Sequence, residues 1–218
     1  MPLRLEVNPK KPFDWNYLVA SLTKRIEFSD RLIELGASVP EKTKELAVLC
    51  SEVIGVELMP ERIPTPPLPN VHYVIDDAQH LSTLPDSSAN IIVAAHLIEH
   101  LPDDIAFLKT IGRILSPQGF AIISTPNRRR LIRRVIETIR GPRSFPWWEH
   151  VREYDKSDLE HLLERIMIDE PQLIARYKGI GFGLCSGPLW LYRDIPPRRL
   201  IGMANWWIIE IEKASADD

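Results

Sequence analysis

Two acidic residues and a glycine between residues 31 and 57 have the spacing of a nucleoside-binding unit. An apolar strand ends in Glu34 and Gly36, a helical segment follows, and a second apolar strand ends in Glu57, 21 positions after Gly36. This spacing suits a carboxylate at the tip of the second strand that reaches the hydroxyls of a ribose. The loop carries Ser38 and Pro40 where glycines are expected, which predicts a looser hold on the ligand.

A second group of chemically useful residues follows a later apolar strand. His96, Glu99 and His100 fit the His-x-x-Glu-His pattern, in which two histidines one helical turn apart bind zinc. That pattern needs a long helix, whereas here a strand directly precedes it and Pro102 follows, so no metal site is expected. His100 and His150 are candidate general bases, because histidine titrates near neutral pH. The alternative for His100 is a structural hydrogen bond at the start of a helix.

Arginines are concentrated after residue 127. Between residues 128 and 143 the chain has seven arginines and a single acid, Glu137; the arginines are Arg128, Arg129, Arg130, Arg133, Arg134, Arg140 and Arg143. Apolar residues recur in the same segment at helical spacing, namely Leu131, Ile132, Val135, Ile136 and Ile139. Three interpretations stay open. The segment is a lid whose arginines bind an anionic or lipid-linked substrate, a surface 128–148 that contacts an anionic membrane, or a solvated helix face. Nucleic acid is not an expected partner, because no base-stacking module accompanies the arginines.

The elements that position these residues alternate between strands and helices. Strands are predicted at 31–35, 53–56, 71–75, 90–94, 120–124, 173–177 and 206–212, and helices at 13–28, 41–50, 103–115, 128–140 and 156–165. Five prolines between positions 60 and 69 exclude a helix there. This order predicts an α/β fold, a three-layer sandwich around a mostly parallel seven-stranded sheet.

Composition is that of an ordinary globular protein. The chain has 218 residues, a hydrophobic content of 44% and a formal net charge of -3, which predict a single domain with a full core and no general affinity for nucleic acid. Cys50 and Cys185 lie far apart, so neither a structural zinc site nor a disulfide is expected. With no signal peptide and no apolar run of about 20 residues, the predicted location is the cytoplasm.

Short motifs between residues 31 and 127 carry a family resemblance. They are Asp77-Ala78, Leu84-Pro85-Asp86, Leu97-Ile98-Glu99-His100-Leu101, Arg113-Ile114-Leu115-Ser116-Pro117-Gln118-Gly119 and Ser124-Thr125-Pro126-Asn127. In this order and spacing, the chain resembles the class I S-adenosylmethionine-dependent methyltransferases, in particular their methyltransferase-11/25-like domains. The resemblance implies a Rossmann-like methyltransferase fold, S-adenosyl-L-methionine as the cofactor and S-adenosyl-L-homocysteine as the product.

The resemblance also implies roles for individual residues. Cofactor contacts are expected from Glu34, Gly36, Ala37, Ser38, Glu57, Leu58, Asp77, Ala78, Ala95 and His96. Glu57 would accept both ribose hydroxyls, Asp77 the adenine amino group, and His96, which would be better neutral than charged, would lie near the sulfonium. The alternatives are a solvated strand-end acid for Glu57 and a turn-starting aspartate for Asp77. Substrate contacts are expected from Arg128, Trp147 and Tyr154.

The sequence therefore predicts a methyltransferase with a cofactor half at 1–127, a substrate cap at 128–170 and terminal strands at 171–218. The expected acceptor is a small molecule or a lipid- or sugar-linked one, methylated at oxygen or nitrogen rather than carbon. The alternative is a degenerate, non-catalytic domain of the same fold that binds a partner, because the loop of Ser38 and Pro40 departs from the family pattern. The oligomeric state stays open.

Overall fold

Strands and helices alternate along most of the chain in the computed structural model, which describes residues 4–7, 13–141, 149–186 and 189–215. The strands are β1 (Arg4–Val7), β2 (Arg31–Leu35), β3 (Glu52–Glu57), β4 (Val71–Ile75), β5 (Ala89–Ala95), β6 (Leu115–Pro126), β7 (Leu173–Ile180), β8 (Phe182–Ser186), β9 (Leu189–Arg193) and β10 (Trp206–Lys213). The helices are α1 (Phe13–Leu22), α2 (Pro40–Ala47), α3 (Asp104–Ile114), α4 (Leu131–Arg140) and α5 (Lys156–Asp169).

Seven of these strands form one sheet in the order β4-β3-β2-β5-β6-β10-β7. The pairs within β4-β3-β2-β5-β6 are parallel, and β10 runs antiparallel to both β6 and β7. The order reverses at β2, so the carboxyl ends of β2 and β5 border a crevice where α/β proteins bind ligands. The predicted α/β fold with a mostly parallel seven-stranded sheet is confirmed.

Helices cover both faces of the sheet, and successive residues of each strand alternate between two cores. Leu32 of β2 packs with Trp15 of α1 and Leu46 of α2, whereas Ile33 packs with Phe107 of α3. The face of α3 and α5 also contains the apolar residues Leu108, Ile111, Leu159, Leu163 and Ile166, all buried. A central parallel strand is covered by helices on both faces of the sheet and therefore has apolar residues on both sides.

Local signals in the sequence set where several helices begin and end. Asp103 accepts a hydrogen bond from Ala106 N and starts α3, and Asp155 caps α5 together with Asp158. Pro40 occupies the start of α2, where its missing N–H costs nothing. The predicted helix 13–28 ends early at Leu22, where the hydroxyls of Ser21 and Thr23 bond to preceding carbonyls.

A second, three-stranded antiparallel sheet of order β1-β9-β8 was not predicted from the sequence. Its strands have only four or five residues each, too few for a clear alternating pattern. The proline-rich segment 60–69 forms only a short 3-10 turn at Pro60–Arg62, as its prolines require. No helix among the described residues is long and apolar enough to cross a membrane.

Helix α4 buries an arginine and exposes part of its apolar stripe. Arg133 is only 6% exposed, whereas Val135, Ile136 and Ile139 are 40%, 36% and 76% exposed. The charged side chain is buried because it pairs with two carboxylates, Glu153 and Glu137. These three apolar residues of α4 are therefore available for contact with another molecule, whereas Leu131 and Ile132 are partly buried.

Candidate active site

The loop after β2 turns sharply beneath the carboxyl edge of the sheet. Gly36 has a φ of +77°, a conformation that side chains disfavour. The N–H groups of Gly36 and Ala37 donate to Val56 O at 2.9 and 3.0 Å, and Ser38 N donates to Gly36 O at 2.8 Å. The loop thus forms a tight turn although Ser38 and Pro40 replace glycines.

Glu34 is a buried acid with an incomplete set of partners. It is 4% exposed, and in the part of the chain that the structure describes its Oε2 atom has no hydrogen-bond partner. Burial raises the pKa of Glu34 to about 7, against a smaller lowering effect of Thr43 and Lys42. A cationic donor, such as the ammonium group of an amino-acid moiety, would satisfy this oxygen.

The acids after β3 and β4 lie at the same edge. Glu57 is 5% exposed, and its Oε1 accepts from Met59 N at 3.0 Å, while its Oε2 has no protein partner among the described residues. Leu58 and Met59 are exposed and could contact a flat ligand face. Asp77 Oδ1 accepts from Gln79 N at 2.8 Å, so Asp77 does start a turn, and its contact with adenine stays a prediction.

Arg113 of α3 holds the loop that carries Asp77 and the buried Ala78. Its guanidinium donates to the carbonyls of His80, Leu81 and Leu84 at 2.8–3.1 Å and to Asp86 at 2.6 Å. Four acceptors on one side chain use the forked geometry of arginine. The Leu84-Pro85-Asp86 and Arg113 motifs therefore form one structural unit beside the site.

His96 lies between two buried carboxylates directly after β5. Its Nε2 is 2.7 Å from Asp14 Oδ2, and its Nδ1 is 3.2 Å from Glu99 Oε1. Burial favours the neutral ring, but the charges and hydrogen bonds of Asp14 and Glu99 outweigh it and raise the pKa of His96 to about 10. The two acids thus stabilise the charged ring, whereas a neutral ring is expected next to a sulfonium, and the position of His96 beside the cofactor stays a prediction.

This ion-pair cluster joins α1 to β5 and β6. Asp14 and Glu99 are both 0% exposed; Ser124 Oγ donates to Asp14 Oδ2 at 2.8 Å, and Thr125 Oγ1 donates to Glu99 Oε2 at 3.0 Å. His96 adopts a φ of +58°, an uncommon conformation that is found at functional sites. Sequence reasoning missed Asp14, because an acid in the first turn of a helix is ordinary.

The two predicted bases meet although 50 residues separate them in sequence. The rings of His100 and His150 are edge to face, with centroids 4.7 Å apart. His100 Nδ1 lies 3.1 Å from Glu149 O, and His150 Nδ1 lies 3.0 Å from Glu153 Oε1. The remaining ring nitrogen of each histidine is thus available for chemistry.

Glu153 is the centre of a charged network that fixes the segment before α5 to α4. Its Oε2 accepts from Arg130 at 3.1 Å and from Arg133 at 2.6 Å. Although burial raises it, the pKa of Glu153 is lowered overall by its hydrogen bond to His150 and by the two arginines. Arginines expected at a substrate are therefore partly used within the protein.

Of the three residues expected to contact the substrate, the structure describes Arg128 and Tyr154 but not Trp147. Arg128 is partly buried, and its N–H donates to Tyr154 O at 3.0 Å. Tyr154 is 4% exposed and its hydroxyl donates to Asp104 at 2.9 Å, so its polar atom is engaged inside the protein rather than presented to a substrate. Trp147 and Trp148 lie outside the described residues.

Comparisons with known proteins identify the family of this chain. A family model described as a methyltransferase domain matches residues 14–166. A probable S-adenosylmethionine-dependent methyltransferase of Mycolicibacterium smegmatis is 32% identical over 45% of this chain and 35% of its own length. A ubiquinone biosynthesis O-methyltransferase of Xanthomonas oryzae is 25% identical over 45% of this chain and 44% of its own. A 2-methyl-6-phytyl-1,4-hydroquinone methyltransferase of Synechocystis is 29% identical over 35% of this chain and 26% of its own length.

Solved structures share the fold at low sequence identity. The YcgJ protein of Bacillus subtilis has a TM-score of 0.65 at 13% identity and covers 92% of this chain and 100% of its own. A SAM-dependent methyltransferase of Archaeoglobus fulgidus has a TM-score of 0.59 at 17% identity, and the match covers 91% of this chain and 94% of that protein. The chain matches less than half the length of the curated relatives, so those relatives contain more than the shared part.

Proposed function

Because the chain belongs to the S-adenosylmethionine-dependent methyltransferase family, we propose that it transfers a methyl group from this cofactor to an oxygen or nitrogen atom of a small or lipid-linked acceptor. The observation that carries the proposal is the pair of buried acids at neighbouring strand ends, Glu34 and Glu57, each with an oxygen that has no hydrogen-bond partner among the described residues. A non-catalytic domain is the alternative that the comparisons do not bear out, since the similar proteins are named as methyltransferases.

The residues fit the chemical parts of the cofactor. Glu34 would bind the ammonium group, Glu57 the ribose hydroxyls and the loop of Asp77 and Ala78 the adenine. When bound, the cofactor supplies a methyl group on a positively charged sulfur. The ion-paired His96 would close the floor of the site without adding positive charge beside the sulfonium, because Asp14 and Glu99 together outweigh its charge.

Transfer requires an acceptor atom in line with the methyl group and a place for its proton. A bond forms between the acceptor and the methyl carbon, the carbon–sulfur bond breaks, and its electron pair stays on sulfur. Proximity and alignment supply much of the rate. His100 and His150, next to the turn after β5, are the groups that would handle the proton of the acceptor.

Two observations support a lipid-linked acceptor. Val135, Ile136 and Ile139 are exposed on α4, next to the segment that carries His150. Relatives of this chain are named for a phytyl hydroquinone and for ubiquinone biosynthesis. We infer that α4 contacts the apolar tail of such an acceptor, at or near an anionic membrane surface.

Calorimetry with S-adenosylmethionine and S-adenosylhomocysteine tests the cofactor site. We expect Glu57→Ala and Asp77→Ala each to weaken binding by about 1–3 kcal/mol, as for a lost hydrogen bond to a charged group. Glu61→Ala, an exposed acid in the same region, is the matched control and should bind like the wild type. No binding at millimolar ligand would refute the enzymatic proposal.

Co-sedimentation with anionic vesicles tests the role of α4. Ile139→Ser should reduce the bound fraction, because Ile139 is 76% exposed on the helix proposed to contact lipid. Ile168→Ser changes an isoleucine that is 77% exposed on α5 and serves as the control. Equal sedimentation of both variants and the wild type would exclude lipid contact through α4.

A further inference from the structure

Three side chains of metal-binding type converge beside the candidate acceptor site. One possible ligand atom each from Glu99, His100 and His150 lies within 4.8 Å of the other two. Glu99 and His100 belong to the turn after β5, whereas His150 lies before α5. Main-chain hydrogen bonds hold these two segments together, because Val151 N and Arg152 N both donate to Glu99 O, at 2.9 and 3.2 Å.

The hydrogen bonds of the two histidines leave the same atom free on each ring. His100 Nδ1 faces the carbonyl of Glu149, and His150 Nδ1 faces the carboxylate of Glu153. Both partners are acceptors, so each Nδ1 carries a proton and each neutral ring keeps a lone pair on Nε2. Metal-bound histidines in proteins have this arrangement, in which the second nitrogen donates to a carbonyl or a carboxylate.

The third side chain is also held in place. Glu99 is 0% exposed, its Oε1 faces His96 Nδ1, and its Oε2 accepts from Thr125. Each carboxylate oxygen has a second lone pair, so Glu99 can keep both partners and still bind a cation. Glu153 is engaged with Arg130 and Arg133, which makes it a residue that orients His150 rather than a ligand.

We propose that Glu99, His100 and His150 bind one first-row divalent cation, such as Mn²⁺ or Zn²⁺. Two imidazole nitrogens and a carboxylate oxygen suit these ions better than Mg²⁺ or Ca²⁺. The ligand atoms lie within 4.8 Å of one another and would approach to bond lengths of about 2.1 Å around the ion. The sequence pattern paired His100 with His96, but His96 is engaged with Asp14, and His150 takes its place.

The chemical role of the cation rests on the proposed function. Three protein ligands leave coordination positions open, and a hydroxyl that binds there loses its proton to water more readily. The resulting oxygen anion attacks the methyl carbon as the carbon–sulfur bond breaks. With the cation bound, His100 and His150 therefore act as its ligands, and water takes the proton that they would otherwise accept as bases. This arrangement selects acceptors with a phenolic hydroxyl or with two adjacent hydroxyls that chelate the ion.

Electron paramagnetic resonance of free Mn²⁺, measured with the whole protein and without methyl donor, tests the site. We expect one Mn²⁺ per chain in the wild type and at least about a tenfold loss of affinity in His100→Ala and His150→Ala. His161→Ala removes an exposed histidine of α5 and should bind like the wild type. Circular dichroism verifies folding, and His100→Gln replaces His100→Ala if the latter fails to fold.

Equal Mn²⁺ affinity in the wild type and both histidine variants, or no binding at millimolar Mn²⁺, would overturn the proposal. Calorimetry with S-adenosylhomocysteine in the presence of a chelator separates this outcome from failure of the proposed function. Retained cofactor binding without Mn²⁺ binding refutes the metal site alone. Retained Mn²⁺ binding without cofactor binding refutes the methyltransferase activity alone.

Discussion

Glu34 makes the stability of the ligand-free protein depend on pH. Its pKa is about 7 in the folded protein against an ordinary value of 4.5, so the folded state binds the proton more tightly than the unfolded chain. The free energy of unfolding therefore falls as pH rises through this range, by up to about 3 kcal/mol. Urea unfolding at a series of pH values should show this slope in the wild type and lose it in Glu34→Gln. Glu61→Gln, which changes an exposed acid, should leave the slope as it is.

Asp14 stabilises the fold through contacts with residues that are far from it in sequence. Removing it leaves the cationic His96 with one carboxylate and leaves Ser124 without its acceptor. We expect Asp14→Ala to destabilise the protein by about 3–5 kcal/mol, as for a broken buried ion pair, measured by chemical denaturation. A change below about 1 kcal/mol, similar to that of the exposed Glu27→Ala, would contradict a buried ion pair at this position.

At the scale of elements, one arginine connects α3 with the loop 77–86. Arg113→Lys keeps a positive charge near Asp86 but loses the fork that binds three carbonyls. We expect a loss of about 1–3 kcal/mol in stability, together with weaker cofactor binding, because the loop carries Asp77. Asp86 is 74% exposed in its side chain, so Asp86→Ala should have little effect on either measurement.

The sequence predicted elements well where the signal is local. The apolar run of β5, the cap Asp103 and the first-turn Pro40 each specify an element within a few residues. The small sheet of β1, β8 and β9 was missed, because its three short strands lie outside the regular alternation of strands and helices in residues 31–126. Arg133 was assigned to a surface because its buried partner, Glu153, is 20 residues away.

Within the candidate site, the sequence predicted which residues lie at one edge of the sheet but not how they pair with each other. Glu34, Glu57, Asp77 and His96 follow strands whose order fixes one common edge of the sheet, so their neighbourhood follows from topology. The ion pair of His96 with Asp14 joins residues 82 positions apart, and no sequence spacing indicates it. Contacts of this kind depend on tertiary packing, which a motif does not encode.

At the scale of the whole molecule, β10 links β7 to the rest of the sheet, and among the described strands no other pairs with β7. Trp207 of β10 is 0% exposed, donates to Tyr154 O at 3.0 Å and packs edge to face on Tyr177. Trp207→Ala should cost about 3–5 kcal/mol in denaturant unfolding. Trp207→Phe should cost less, since most of the volume remains, and Ile174→Ala, at a 42% exposed position of β7, should cost little.

The strand order also has a consequence for biosynthesis. On the ribosome, β7 emerges before β10, its sole neighbour in the large sheet. Until residues 206–213 leave the exit tunnel, the edges of both β6 and β7 are unpaired, and such edges favour association with other chains. Nascent chains of this protein are therefore exposed to aggregation, and to chaperone binding, from the release of β7 until β10 has left the tunnel and paired with it.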